Sequence, residues 1–136
     1  MRRILPARHT SNTFHGINDE LRSKATSSSA CRRCCFTIAE MIEYEAMGLA
    51  PRGQGWRVIR EGTTRMDGAL PVNPSGGLKS RGHPIGATGV SQHVMAAMQL
   101  TGDAGAMQVP GAELAGVFNM GGTAVANYCS ILEREK

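Results

Sequence analysis

From Phe36 onward the apolar positions of the chain fall into periodic segments, and before Phe36 they do not. Ile38, Met41, Ile42 and Leu49 keep a roughly helical stripe. Thr37-Ile38-Ala39-Glu40 has the form of a capping box, with the Thr side chain able to accept from the Glu40 backbone N–H. Phe36 and Met41 are spaced for a hydrophobic staple across that first turn, and Gly48 followed by Pro51 stops the run. These signals predict a helix over 37–48. Residues 51–70 are punctuated by Gly53, Gly55, Gly62 and Gly68 and read as loop, with Trp56-Arg57-Val58-Ile59-Arg60 as a short strand.

A second helix is predicted over 84–100. Pro84 suits a first helical position, where a missing N–H costs nothing. Ala87, Val90, Val94 and Ala97 or Met98 recur at three- and four-residue steps on one face, and Gly102 ends it. Two β-compatible runs follow, Leu114–Asn119 and Thr123–Leu132, with Met120-Gly121-Gly122 as the turn between them. Two helices followed by a hairpin imply a layered α/β or α+β domain with helices packed on a sheet.

Composition narrows the class. The chain has 136 residues, which suits one domain. Apolar residues make up 41% and aromatics only 4%, enough for a modest core of Ala, Val, Ile, Leu and Met. No run approaches the ~20 apolar residues of a membrane-spanning helix. The formal net charge of +4 is unevenly spread. Residues 1–35 hold seven basic and two acidic side chains, whereas residues 36–136 hold eight basic and nine acidic. The excess charge therefore belongs to the first quarter, and nothing marks the folded body as a nucleic-acid binder. Residues 1–34, with the polar tract Ala25-Thr26-Ser27-Ser28-Ser29, read as a disordered or poorly packed leader. An organelle-targeting segment is the alternative, and otherwise the expected compartment is the cytoplasm. Cys31 and Cys34 have metal-ligand spacing but no second Cys or His pair follows, so no zinc site is expected.

The chemistry concentrates at one stretch. Asn73-Pro74-Ser75-Gly76-Gly77 leads through Gly82-His83-Pro84-Ile85-Gly86 to Gly89. His83 falls at or near the predicted helix N-cap, where the helix field favours a neutral ring able to take a proton. A histidine that only caps the helix is the plainer alternative. Cys35, two residues before Thr37, sits where a thiolate is favoured, or equally serves as a small buried apolar group. Cys129 reads as core and His93 as a packing or surface residue. Gly121-Gly122 is either a plain tight turn or a pair of backbone N–H donors for a ligand oxygen.

These residues resemble a known family. The Asn73–Gly89 stretch resembles the Gly-His-Pro region of the thiolase superfamily. Cys35-Phe36-Thr37-Ile38-Ala39-Glu40 is similar to the helix start after the His-Asp-Cys-Phe motif of sterol-carrier-protein-type thiolases, and Val117–Ala124 is similar to their last catalytic loop. The resemblance covers residues 35–134 and implies a partial thiolase C-terminal domain of helices on a mixed β-sheet. It implies acyl transfer to or from coenzyme A, by 3-ketoacyl-CoA thiolysis or Claisen condensation, with the thioester as substrate and no further cofactor. It also implies a homo- or hetero-oligomer of thiolase-like subunits. By resemblance, His83 activates a nucleophilic cysteine and Cys35 moves the proton at the substrate α-carbon. Gly121 donates a backbone N–H to the oxyanion, beside Asn119.

The sequence also departs from that family. The nucleophilic cysteine of its N-terminal domain has no counterpart here, and Arg33-Cys34 stands where the motif has His-Asp. Residues 1–34 read as foreign sequence joined part-way into a domain. A chain of this kind is expected to be inactive alone. The alternative is a non-catalytic thiolase-like module that binds acyl-CoA or a thiolase partner.

Overall fold

In the computed structural model, the described residues are Ser28–Arg32, 37–122 and 125–135. The order of elements is β1 (Ser28–Arg32), α1 (Thr37–Ala46), α2 (Gly55–Arg60), α3 (Gly77–Arg81), α4 (Thr88–Thr101), β2 (Leu114–Gly121) and β3 (Ala126–Glu133), with a 3₁₀ turn at Gly105–Met107 before the hairpin. The strands form one sheet in the order β1-β2-β3. β1 lies parallel to β2, with Ser28 opposite Leu114 and Arg32 opposite Phe118. β2 and β3 are antiparallel, Leu114 facing Glu133 and Gly121 facing Ala126. The sheet is mixed, as the α/β expectation requires.

β2 is the central strand, and its residues Leu114–Phe118 are buried without interruption. A strand buried on both faces needs a layer on each side. On one side α4 packs Met95, Ala96 and Leu100 against Ala115, Val117 and Leu132. On the other, Met47 and Leu70 close over Leu114, flanked by Leu49 and Ile131. The strand alternation accounts for the division, since Ala115 and Val117 share one face and Leu114 takes the opposite one.

Several elements differ from the sequence expectation. The strand expected at Trp56–Arg60 is helix α2. Its β-branched and aromatic residues suit either state, but helix-spaced side-chain pairs decide the matter. Arg57 donates to Gln54 Oε1 at 2.9 Å and to Glu61 Oε1 at 3.2 Å. Arg60 lies over the Trp56 ring at 5.8 Å. β1 forms inside the stretch assigned to the leader, because its pairing partner is the buried strand β2 rather than any local pattern. The strand pairing runs on to Gly121 opposite Ala126, past the start of the turn expected at Met120–Gly122, and Val125 N–H bonds to Gly122 C=O at 3.2 Å.

The inward faces also differ. In α1 the apolar stripe does not mark the buried side: Ile38 and Ile42 are more than half exposed, while Glu43 and Tyr44 are buried, as is Met47 just after the helix. In α4, Val90 and Val94 are 68% and 51% exposed. Its buried face is Thr88, Gln92, Met95, Ala96, Gln99 and Leu100, still at helical spacing. Both helices are therefore apolar on two sides, and periodicity alone cannot choose between them.

Candidate functional site

Helix α4 begins at Thr88, not at Pro84, and its N-cap is Ala87. Pro84 starts a turn instead, with the N–H groups of Ala87 and Thr88 both reaching its carbonyl at 3.1 Å. Gly86, at φ +88°, keeps this turn out of helical register. His83 is thus not the helix cap. It follows Gly82, whose φ of 81° and ψ of 171° suit glycine alone.

The histidine is instead oriented by Thr88. His83 Nδ1 lies 2.7 Å from Thr88 Oγ1. Thr88 Oγ1 donates its proton to the Pro84 carbonyl at 2.9 Å. A hydroxyl has one proton to give, so Nδ1 must be the donor in the first bond. In the neutral ring of the tautomer that donates from Nδ1, the lone pair is on Nε2. This arrangement gives His83 a defined proton-accepting atom. Thr88 is buried. It is the residue that sequence reasoning missed, although its position five residues after His83 in a Gly-rich turn was the available signal.

The next residue, Gly89, brings in Asn119. A Cβ built on Gly89 would lie 2.9 Å from Asn119 Nδ2, so glycine is what lets the amide rest on the first turn of α4. Asn119 faces α4 because it shares the strand face of Ala115 and Val117, and Gly121 is next in that row. α4 consequently runs antiparallel to β2, with its start at the C-terminal end of the strand. In open α/β sheets, ligands bind outside that end of the strands. His83, Asn119 and Gly121 are therefore gathered at one end of the sheet.

Cys35 lies outside the described residues. The described residues that flank it are Arg32, opposite Phe118, and Thr37, the first residue of α1. Cys129 faces Phe118 across the hairpin and so occupies the sheet face opposite Asn119. His93 donates from Nδ1 to the Gly89 carbonyl at 2.7 Å, a packing role within α4.

A cleft of about 180 Å³ opens beside this site, between α3, the Gly82–Pro84 link and α4. Gln92 lines it and is 6% exposed, and neither of its amide atoms has a hydrogen-bond partner. Leaving such a group unsatisfied costs on the order of 1–3 kcal/mol. Gln99, two turns on along the same buried face, is fully engaged. Its Nε2 donates to Met107 C=O at 2.7 Å and its Oε1 accepts from Val109 N–H at 2.8 Å.

Comparison with known proteins agrees with this architecture. Residues 32–134 match the family described as thiolase C-terminal domain-like, from three residues earlier than the sequence motifs suggest. An acetyl-CoA acetyltransferase of Methanothermobacter thermautotrophicus is 51% identical over 89 residues, covering 65% of this chain and 23% of that protein. Sterol carrier protein 2 of Bos taurus is 49% identical over 87 residues, covering 64% of this chain and 16% of its own length. Benzoylsuccinyl-CoA thiolase subunit BbsB of Thauera aromatica is 42% identical over 74 residues, 54% of this chain and 19% of that one. The matched segments thus span about a fifth of these relatives. Among solved structures, the Ltp2-ChsH2(DUF35) aldolase superposes with a TM-score of 0.72 over 99% of this chain and 40% of that chain, at 19% identity, a likeness of fold. Motifs, mixed sheet and family match converge, and the chain belongs to the thiolase C-terminal domain-like family.

Proposed function

We propose that this chain supplies the proton-transfer part of a thiolase-type acyltransferase site acting on coenzyme A thioesters. The observation that carries the reading is the His83–Thr88–Pro84 relay, which leaves Nε2 as the atom to deprotonate a thiol. In this reading the attacking thiolate forms the acyl–sulfur bond while coenzyme A leaves as a thiol. Asn119 and the backbone N–H of Gly121 stabilise the developing oxyanion at the end of β2. Cys35 moves the proton at the substrate α-carbon. Among the described side chains the one cysteine, Cys129, lies on the sheet face opposite Asn119, so in this reading the attacking thiol is supplied from outside the described residues.

Incubation of the purified chain with acetyl-CoA, followed by mass spectrometry, tests this. The expected result is no acetylated cysteine on the chain alone, and acetylation of an added thiolase's nucleophilic cysteine that falls when His83→Asn replaces the wild type. Acetylation of a cysteine in the isolated chain that depends on His83 contradicts the assignment.

A second reading is a non-catalytic module that docks on a thiolase-like partner. The outward stripe of Val90 and Val94 on α4, with Ile85 beside it, supports this one. Co-purification with a full-length thiolase, lost on Val90→Lys/Val94→Lys, is its expected behaviour. Docking without His83-dependent acetylation favours this reading over the first. No helix among the described residues is long and apolar enough to cross a membrane.

A further inference from the structure

The row of β3 side chains that faces α4 runs on past the start of the helix. Leu132 packs under α4 together with Ala115 and Val117. Alternation along β3 puts Ser130 and Tyr128 in the row of Leu132. Burial drops along that row toward the candidate site. Leu132 and Ser130 are buried, whereas Tyr128 is 60% exposed. The first turn of α4 lies over Asn119, and Tyr128 stands level with Asn119 on the neighbouring strand. A large aromatic side chain on the inward row of the sheet is thus open to solvent at the edge of the site.

The spacing sets what reaches it. Directly opposed residues of an antiparallel pair hold their Cβ atoms about 4.5–5.5 Å apart. A carbon chain that leaves a carbonyl held at Asn119 spans that gap after about four bonds of ~1.5 Å. The methyl of an acetyl group, one bond from its carbonyl carbon, falls short. Charge sets what is tolerated there. Residues 82–102, which form the His83 turn and α4, contain no Asp, Glu, Lys or Arg, and neither do residues 114–132, which hold β2 and most of β3. A charged substituent between these segments loses hydration and gains no ion pair from them. An apolar one gains by covering the ring.

We infer that Tyr128 sets the acyl preference of the site. It favours an uncharged apolar acyl group of about five carbons or more over acetyl, and over a chain that ends in a carboxylate. This rests on the acyl-transfer reading, since Asn119 and Gly121 must hold the thioester oxygen for the chain to run across the ring. Tyr128 touches no reacting atom, so it acts on binding and not on proton transfer.

Titration of the ¹⁵N-labelled full chain with acetyl-CoA, hexanoyl-CoA and adipoyl-CoA, followed by NMR, tests the inference. Hexanoyl and adipoyl groups have the same number of carbons and differ in the terminal carboxylate. Hexanoyl-CoA is expected to bind about tenfold more tightly than either of the others. Tyr128→Ala is expected to bring the hexanoyl-to-acetyl ratio from about ten to about one, and Tyr128→Phe, which keeps the ring, to preserve it. Both substitutions are at an exposed position that the fold tolerates, and the wild-type ligand series stands without them. Equal binding of hexanoyl-CoA and acetyl-CoA overturns the inference. So does a preference that survives Tyr128→Ala or disappears in Tyr128→Phe. Adipoyl-CoA binding as tightly as hexanoyl-CoA overturns it in favour of chain length alone. A missing preference alongside His83-dependent acetylation of an added thiolase sinks the inference and leaves the acyl-transfer reading standing. Absence of binding by all three esters at about 1 mM sinks both.

Discussion

The two sides of the sheet are held by different means. On the α4 side, Met95, Ala96 and Leu100 lie on Ala115, Val117 and Leu132, a contact made by hydrocarbon. On the α1 side the apolar cluster is smaller, built on Met47, Leu70 and Leu114. There α1 and α2 are joined by close backbone approach and by a carboxylate. A Cβ on Gly55 would fall 2.2 Å from the Met41 carbonyl oxygen, and Gly55 N–H donates to Glu45 Oε1 at 2.8 Å. The α4 layer is therefore sensitive to volume, whereas the α1–α2 layer is sensitive to sterics and charge. The candidate site sits on the α4 side, where Thr88 and Gly89 hold His83 and Asn119.

The largest expected effect breaks the α4 layer. Leu100 is fully buried, and Leu100→Ala is expected to cost ~2–5 kcal/mol of unfolding free energy, measured by denaturant titration. A cost below ~1 kcal/mol would mean that α4 is not packed on the sheet as described. On the other side, Gly55→Ala is expected to cost ~1–3 kcal/mol, because its new methyl meets backbone rather than a movable side chain. An unchanged midpoint would show that α1 and α2 are free to separate. Gln92→Met has the opposite sign. Removing an unsatisfied buried amide is expected to raise stability by ~1 kcal/mol, seen as a higher thermal midpoint. A lower midpoint would mean that water or another group already satisfies Gln92. Smaller still, Val90→Lys/Val94→Lys changes monomer stability by less than ~0.5 kcal/mol, since both residues face outward. A collapse of stability there would place this stripe in the core after all.

The elements were more legible in the sequence than their orientation. The Thr37 start, the α4 period and the Gly-Gly hairpin are local signals, and the structure contains an element at each. Which face turns inward is not local. Val90 and Val94 look like core and are exposed, while Thr88, Gln92 and Gln99 look like surface and are buried. A helix apolar on two sides gives two solutions, and only the sheet selects one. β1 was hidden for a related reason, since Ser28–Arg32 acquires its strand from pairing with β2. At the site, His83 and Asn119 were visible as motif residues. Thr88 was not, because its bonds to His83 and to the Pro84 carbonyl depend on a turn at Pro84 that replaces the expected first helical turn. Gly89 reveals its purpose only once Asn119 is seen resting on it.

The finest test of the difference between the two sides uses acid. Backbone N–H groups of Gly53 and then Gly55 hold the Glu45 carboxyl below the ordinary glutamate value of 4.5. A carboxyl depressed on folding favours the folded state above its unfolded value, and that contribution fades as pH falls through its folded value. Glu45→Gln keeps the shape of the side chain and removes its charge. The variant is therefore expected to be less stable than the wild type near pH 7, with the two converging as pH drops below about 4.5. Thermal midpoints across pH 7 to pH 3 measure it. Combining Glu45→Gln with Leu100→Ala sharpens the comparison, because the two substitutions act on opposite layers. Their effects on the midpoint should add at every pH. A pH-dependent gap that changes size in the Leu100→Ala background would mean that the sheet couples its two sides, and that acid felt at α1 reaches the helix that orients His83.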